Sequence, residues 1–312
     1  MIISASRRTD IPAFYSDWFI KRLEEGFVLV RNPVNAHLIS RISLKAEAVD
    51  FIVFWTKNPE NMLSRLGCLN NLRIPYYFLF TVTSYGQSLE IKLPSKSVII
   101  DTFKRLSDKI GKERVIWRYD PVLLTPEIDL NYHRRFFEFT VKKLEGYTDR
   151  CIVSFLDMYK KCRKNLKGFN VIDLNDDKMR EIGAVISQIA RFYNIQVQTC
   201  AEEIDLSGWG ITRGKCIDDA LISKITGRKT TSKKDKSQRA ACNCVESADI
   251  GSYNTCIHNC LYCYANFDHT IAGKNYASHN SDSPILIGNI EKTDRIVERK
   301  TAGCVNHQNE LF

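Results

Sequence analysis

The segment TCIHNCLYCYAN, at 255–266, sets Cys256, Cys260 and Cys263 in a C-x3-C-x2-C arrangement. Thiolates are soft ligands that hold zinc or iron–sulfur clusters. A structural zinc site generally takes four ligands, commonly as two short pairs. Three cysteines in one tight turn suit instead a cubane cluster with three irons held by protein, the fourth being open to a small molecule. Tyr262 puts an aromatic ring directly before the last cysteine, where it could shield a cluster from water or pack against a cofactor. His258, inside the triplet, could tune or shield a cluster, but reads first as a loop residue facing solvent.

The chain has eleven cysteines, five of them between 242 and 263. Cys200 closes an apolar run, Cys216 stands in GKCID, and Cys242 and Cys244 form C-x-C just ahead of the triplet. These four could hold a second iron–sulfur cluster or a zinc ion, since four thiolates satisfy either. Equally, Cys200 could be a buried strand residue and Cys216 a helix-start residue, leaving only Cys242 and Cys244 near metal; spacing does not decide. Cys68, Cys151 and Cys162 read as small core or surface residues, and His37 and His133 as structural. The short apolar start before Arg7 and Arg8 does not read as a secretory leader, which would carry a longer apolar run. No run approaches the ~18 apolar residues of a membrane span. The expectation is a soluble cytoplasmic protein, where disulfides are disfavoured.

Something must position these thiols. The first two-thirds of the chain alternates apolar, β-branched runs with amphipathic stretches. Strands are expected at Ile2–Ser6, Phe27–Val30, Asp50–Trp55, Tyr76–Val82, Arg114–Tyr119, Cys151–Phe155 and Ile195–Thr199; near-continuous runs such as FIVFW suit strands buried on both faces. Helices are expected at Ala13–Glu25, Pro59–Leu66 (with Asn58 as N-cap), Ser95–Ile110, Leu130–Leu144, Asp176–Tyr193 and Asp218–Thr226, several of them stopping at glycine. Arg31–Leu44 reads as a hairpin-like insertion. The alternation predicts an α/β fold, a complete or partial (β/α) barrel of parallel strands, with a C-terminal cysteine-rich cluster-binding segment. Residues 1–227 form the barrel-like domain, and 228–312 fold back on its mouth.

In such a barrel, function gathers at the strand C-termini. The polar residues there are Arg7, Arg8, Thr9 and Asp10; Thr56, Lys57 and Asn58; Thr81 and Thr83; Arg118, Tyr119 and Asp120; Ser154 and Asp157; and Glu202 and Glu203. Any one could merely begin a loop or cap a helix, and Arg118 and Asp120 could simply pair. As a group they would converge on one mouth.

With 312 residues, 44% of them hydrophobic, the chain can bury a full core. Its net charge of +9 is compatible with nucleic acid or an anionic small ligand and selects neither. The polar, basic tract RKTTSKKDKSQR at 228–239 reads as a flexible linker or a phosphate contact. Residues 293–312 read as a poorly ordered tail. There is no internal repeat.

The triplet resembles the C-x3-C-x-aromatic-C motif of radical S-adenosylmethionine enzymes, with matching spacing and aromatic residue. That resemblance implies a [4Fe–4S] cluster whose open iron chelates S-adenosylmethionine. It also implies a 5′-deoxyadenosyl radical that removes hydrogen from a substrate, and an electron donor such as flavodoxin or ferredoxin. The chain departs from those enzymes in two ways. Their cysteine loop usually follows the first barrel strand, whereas here it follows some 250 residues, as if permuted; and no Gly-Gly-Glu-like segment is evident to bind the methionine amine. Over nearly its full length the chain also resembles a bacterial family labelled domain of unknown function 1848. The residues that carry this are SASRRTDIPAFY (4–15), VRNP (30–33), FWTKNPENM (54–62), RYDP (118–121), CAEEIDLSGWGI (200–211) and CNCVESADIGSYNTCIHNCLYCYAN (242–266). The family is described as having a C-terminal cysteine cluster like the N-terminal one of radical S-adenosylmethionine proteins, and its label names no reaction.

Two main functions follow. One is a radical S-adenosylmethionine enzyme of unknown substrate, with Cys256, Cys260 and Cys263 as cluster ligands. Its cofactor contacts would come from Arg7, Arg8, Asp10, Thr56, Lys57, Asn58, Arg118, Asp120, Glu202, Glu203 and Tyr262. The other is a metal-stabilised nucleic-acid-binding protein with structural cysteines, binding through Lys233, Lys234 and Lys236. An electron-transfer module ranks last, because it needs no barrel of this size.

Overall fold

The computed structural model describes residues 1–230, 232–299 and 303. The strands are β1 (Ile2–Ala5), β2 (Phe27–Arg31), β3 (Leu38–Ser43), β4 (Phe51–Thr56), β5 (Tyr76–Thr81), β6 (Val115–Val122), β7 (Arg150–Phe155), β8 (Gln196–Thr199), β9 (Thr212–Arg213), β10 (Ala248–Asp249) and β11 (Arg295–Glu298). The helices are α1 (Ile11–Phe14), α2 (Ser16–Glu25), α3 (Glu60–Leu63), α4 (Leu66–Asn71), α5 (Lys96–Ile110), α6 (Leu130–Leu144), α7 (Lys160–Asn165), α8 (Asp176–Phe192), α9 (Asp219–Thr226) and α10 (His269–Ala277).

Eight strands form one parallel sheet in the order β10-β1-β4-β5-β6-β7-β8-β9. This is a partial barrel: β9 and β10 are its two edges. Side chains alternate between two cores, as period-2 geometry requires. Ile52, Phe54, Phe78, Phe80 and Trp117 pack under the helices with Phe103, Phe137 and Ile186. Phe51, Val53, Tyr77, Leu79, Ile116 and Ile152 face the other way, onto Ile217, Leu221, Ile222 and Val245. The rings of Phe54 and Phe78 stack at 4.5 Å in adjacent strands. Truncating either to Ala would cost about 3–5 kcal/mol.

The expected elements appear with informative differences. The helix over Ala13–Glu25 breaks at Tyr15, which leaves helical geometry (φ −134°, ψ 27°) while its hydroxyl donates to Thr255 O at 2.7 Å. Asp10 caps the short α1 by accepting from Ala13 N at 3.1 Å. The helix expected from Pro59 starts at Glu60 and splits into α3 and α4; Asn58 makes only a long 3.4 Å contact to Glu60 N. The hairpin is β2–β3, antiparallel. β2 therefore lies outside the main sheet, in a small sheet ordered β11-β3-β2. The expected loose tail is corrected in part: Arg295–Glu298 pairs in parallel with β3, while 300–302 and 304–312 lie outside the described residues. Beyond 228 the chain thus adds a strand to each sheet.

The basic tract is not a free linker. Thr230 N donates to Ser223 Oγ at 3.2 Å, Lys234 bridges Val245, and Asp235 N donates to Cys244 O at 2.9 Å. Buried Asp235 also accepts from Ser237 N and Oγ. The basic composition concealed one acid that folds the segment onto the C-x-C pair.

Candidate functional site

The cysteine loop begins where β10 ends. Asp249, last residue of β10, accepts from Ser4 Oγ (3.0 Å), Ser6 Oγ (2.7 Å), Arg7 N (2.8 Å) and Arg8 Nε (3.1 Å). Burial alone would raise its carboxyl, but Arg8 and these donors hold it below the usual carboxylate range. The loop then runs so close to β1 that a Cβ on Gly251 would collide with Ser6 Oγ, so glycine is required. Asn254 and Asn259 both take φ +56°, a left-handed turn that Asn tolerates. Thr255 Oγ1 and Thr9 Oγ1 meet at 2.7 Å.

Farther along, Leu261 N donates to Leu89 O (2.9 Å), Lys92 N to His258 O (3.1 Å), and Cys162 Sγ to Tyr262 O (3.2 Å). His258 is corrected from solvent-facing to buried. Its Nε2 lies 2.8 Å from Asp10 Oδ2, and its ring packs 4.5 Å from that of Phe14. Asp10 Oδ2 also accepts from Lys57 N at 2.7 Å.

Beneath the loop sits a charge cluster whose centre, Glu90, and whose Lys96 sequence reading missed. Glu90 is 1% exposed. It takes hydrogen bonds from Lys57 Nζ (2.7 Å), Thr83 Oγ1 (2.7 Å), Lys96 Nζ and Tyr262 OH. Burial opposes its charge, yet the two ammonium groups bring its carboxyl down to about 2. Lys57 is raised: burial opposes its charge, but Glu90 and the nearby Cys260 outweigh that. Lys96 is lowered, because burial and Lys57 outweigh Glu90. Glu90 was not legible because in SLEIKL it stands between Leu89 and Ile91 with no local sign of its partners. Its partners come from 33 and 6 residues away.

A cavity of about 830 Å³ opens at the strand C-termini. It is lined by Cys256, Cys260 and Cys263 and by Cys200, Cys216, Cys242 and Cys244. Of the expected cofactor contacts, Arg7, Arg8, Asp10, Thr56, Lys57, Arg118, Asp120 and Tyr262 line it. Asn58, Glu202 and Glu203 do not. Glu202 Oε1 instead accepts from Phe155 N at 2.9 Å, and burial raises its carboxyl to about 7. Arg8 pairs with Asp249, and Arg118 with Asp120, which also binds Ser154. Trp55 carries two guanidiniums, Arg7 at 5.3 Å and Arg118 at 4.8 Å from its ring. Arg7 Nη2, Arg118 Nε and His258 Nδ1 are buried without a hydrogen-bond partner among the described residues. In native proteins such atoms usually face a ligand or water.

The thiols differ in environment. Burial raises Cys256 and Cys260, with Lys57 opposing at Cys260. In the other set, Cys200 Sγ and Cys216 Sγ are 3.0 Å apart. The neighbouring Cys216 and Cys242 thiols, aided by Arg7, bring the Cys244 thiol below its usual range. The same sulfur accepts from Ile217 N at 3.4 Å. Among the described residues no set of three or more His, Cys, Asp or Glu already stands in metal-ligation geometry; in the second set the sulfur–sulfur contact is that of Cys200 with Cys216. None of the ten described cysteines is in a disulfide. No helix among the described residues is long and apolar enough to cross a membrane.

Residues 2–265 match the profile of a family described as "Domain of unknown function (DUF1848)", and the chain belongs to that family. No curated protein matches the sequence. Among solved structures, one similar chain is from Bacteroides thetaiotaomicron VPI-5482, described as a candidate alpha-L-fucosidase. It is 11% identical, with a TM-score of 0.26; the match covers 52% of this chain and 66% of that one.

Proposed function

We propose that this member of the DUF1848 family is a radical S-adenosylmethionine-type iron–sulfur enzyme, with Cys256, Cys260 and Cys263 as cluster ligands. The observation that carries this reading is that all three thiols open on one 830 Å³ cavity, at the C-terminal ends of parallel strands, alongside three buried polar atoms without partners. The topology supports it too. β10 lies at the sheet edge beside β1, so in spatial order the cysteine loop follows the first strand. The displacement to residue 250 in sequence is then a permutation of chain order with the spatial order kept.

The donor types suit the group. Three thiols on one loop suit a cubane with an open corner, and Lys57 and Lys96 supply positive charge near Cys260. When bound, cluster and cofactor would supply one-electron chemistry that removes a hydrogen atom from a substrate. The protein's part is positional. Arg7 and Arg118 can take a carboxylate, and Asp120 an amine or ribose hydroxyl. Tyr262, fixed on Glu90, packs behind the loop and excludes water. Asp10 and His258 hold the loop to β1.

The test is anaerobic reconstitution with iron and sulfide, followed by reductive incubation with S-adenosylmethionine. Release of 5′-deoxyadenosine, lost in Cys260→Ser, is expected. Fully iron-loaded protein that neither binds nor cleaves the cofactor would overturn the reading.

A further inference from the structure

The second group of cysteines has a geometry of its own. Cys200 follows β8, Cys216 follows β9, and Cys242 and Cys244 precede β10. β9 and β10 are the two edges of the open sheet, so these sulfurs come from the two sides of its seam. Backbone hydrogen bonds fix these segments, one of the bonds joining two of them to each other. Cys200 N donates to Val153 O (3.0 Å), Gly214 N to Thr199 O (2.8 Å), Val245 N to Ile217 O (3.2 Å) and Asp235 N to Cys244 O (2.9 Å). Cys216, Cys242 and Cys244 are 1%, 6% and 2% exposed. Cys200 Sγ and Cys216 Sγ are 3.0 Å apart, Cys244 Sγ accepts from Ile217 N beside Cys216 at 3.4 Å, and all four cysteines line the same cavity.

Four convergent thiols, three buried and Cys200 half-buried, are an unusual group to leave without stronger partners, because S–H is a weak donor. A disulfide between Cys200 and Cys216 would leave Cys242 and Cys244 unexplained. We propose that Cys200, Cys216, Cys242 and Cys244 form a four-thiolate site for a single tetrahedral metal ion of the zinc class, separate from the triplet. Size favours one ion over a cubane. Sulfurs bound to one zinc lie about 3.8 Å apart, the edge of a tetrahedron with bonds of roughly 2.3 Å. The 3.0 Å between Cys200 and Cys216 needs only a small opening to reach that. A cubane puts each sulfur on a different iron and needs a much wider cage. The surroundings suit the bound state. Four thiolates on a divalent ion carry two negative charges, and Arg7 faces Cys244 with its Nη2 unpartnered. Ile217 N–H already points at Cys244 Sγ, a bond of the kind that orients metal thiolates. The ion would reinforce the tie between the β8–β9 edge and the segment entering β10, where Val245 N already donates to Ile217 O.

The inference does not depend on the cluster reading, and the experiment keeps them apart. The triple variant Cys256→Ser, Cys260→Ser, Cys263→Ser removes the proposed cluster, and with it any cofactor cleavage. Purified anaerobically, it should still carry about one zinc or one iron per chain. Adding Cys242→Ser and Cys244→Ser should abolish that metal. If that variant fails to fold, the unmodified protein decides. Titration with an organomercurial should release the ion as the four thiols react. A second set of four irons, no metal in the triple variant, or a Cys200–Cys216 disulfide by non-reducing peptide mapping would each overturn the proposal.

Discussion

His258 Nε2 lies 2.8 Å from Asp10 Oδ2, joining two residues 248 positions apart. The same carboxylate caps α1 and accepts from Lys57 N, so one side chain fixes β1, β4 and the cysteine loop together. Asp10→Ala is expected to lower stability by about 2–4 kcal/mol, the sum of a lost N-cap and a charged hydrogen bond. His258→Gln should cost less. Chemical denaturation checks both. A parallel assay of iron retention in air should show faster loss in both variants, as the loop carrying Cys256 and Cys260 loosens.

Glu90 is a second fastening, of electrostatic kind. Removing its charge leaves Lys57 and Lys96 buried and facing each other, so Glu90→Gln should cost about 3–5 kcal/mol at neutral pH. Because its folded carboxyl sits near 2, below the unfolded value, its contribution is complete above the ordinary carboxylate range. It disappears as pH falls toward 2. The wild-type and Glu90→Gln stability curves should therefore converge in acid. Curves that stay parallel from pH 7 to pH 2.5 would contradict the charge assignment.

Glu202 has the opposite sign. Burial raises its carboxyl to about 7, above the unfolded value. The folded state then binds more protons than the unfolded state between those values, and stability falls as pH rises through that window. Glu202→Gln keeps an oxygen for Phe155 N–H but cannot ionise. Relative to wild type it should gain about 1–3 kcal/mol between pH 5 and pH 8. Thermal unfolding at the two pH values measures this, and equal differences at both would contradict it.

How far the sequence alone reaches depends on distance along the chain. The strands FIVFW and YYFLFTV, and α6 at Leu130–Leu144, were legible because local apolar period determines them. The triplet was legible because its spacing is local as well. The seat of the loop was not. Asp249 looks like any turn acid until β10 pairs with β1 and sets it against Ser4, Ser6 and Arg8. His258 reads as a solvated loop residue until Asp10 and Phe14 arrive from the other end of the chain. Convergence of Cys200 and Cys216 with the C-x-C pair likewise needs the two sheet edges to meet. The tract at 228–239 misled in the other direction. Its basic composition hid Asp235, whose hydrogen bonds fold it back.

The charge surplus of the chain separates into cations with a job in the cavity and cations without one. Arg7 lies over Trp55 with a buried, unpartnered Nη2, whereas Lys233, Lys234 and Lys236 are exposed on the outer tract. If an anionic cofactor group docks in the cavity, Arg7→Gln removes one charge-assisted hydrogen bond. Affinity of the iron-loaded protein for S-adenosylmethionine should then fall about 10- to 100-fold. Neutralising the three lysines together should leave that affinity unchanged and alter stability by no more than about 0.5 kcal/mol. Equilibrium dialysis of both variants, with zinc and iron content measured alongside, separates loss of a ligand contact from loss of a metal. The opposite pattern, with cofactor binding intact in Arg7→Gln and salt-sensitive RNA or DNA binding abolished in the triple lysine variant, would move the functional surface from the cavity to the tract.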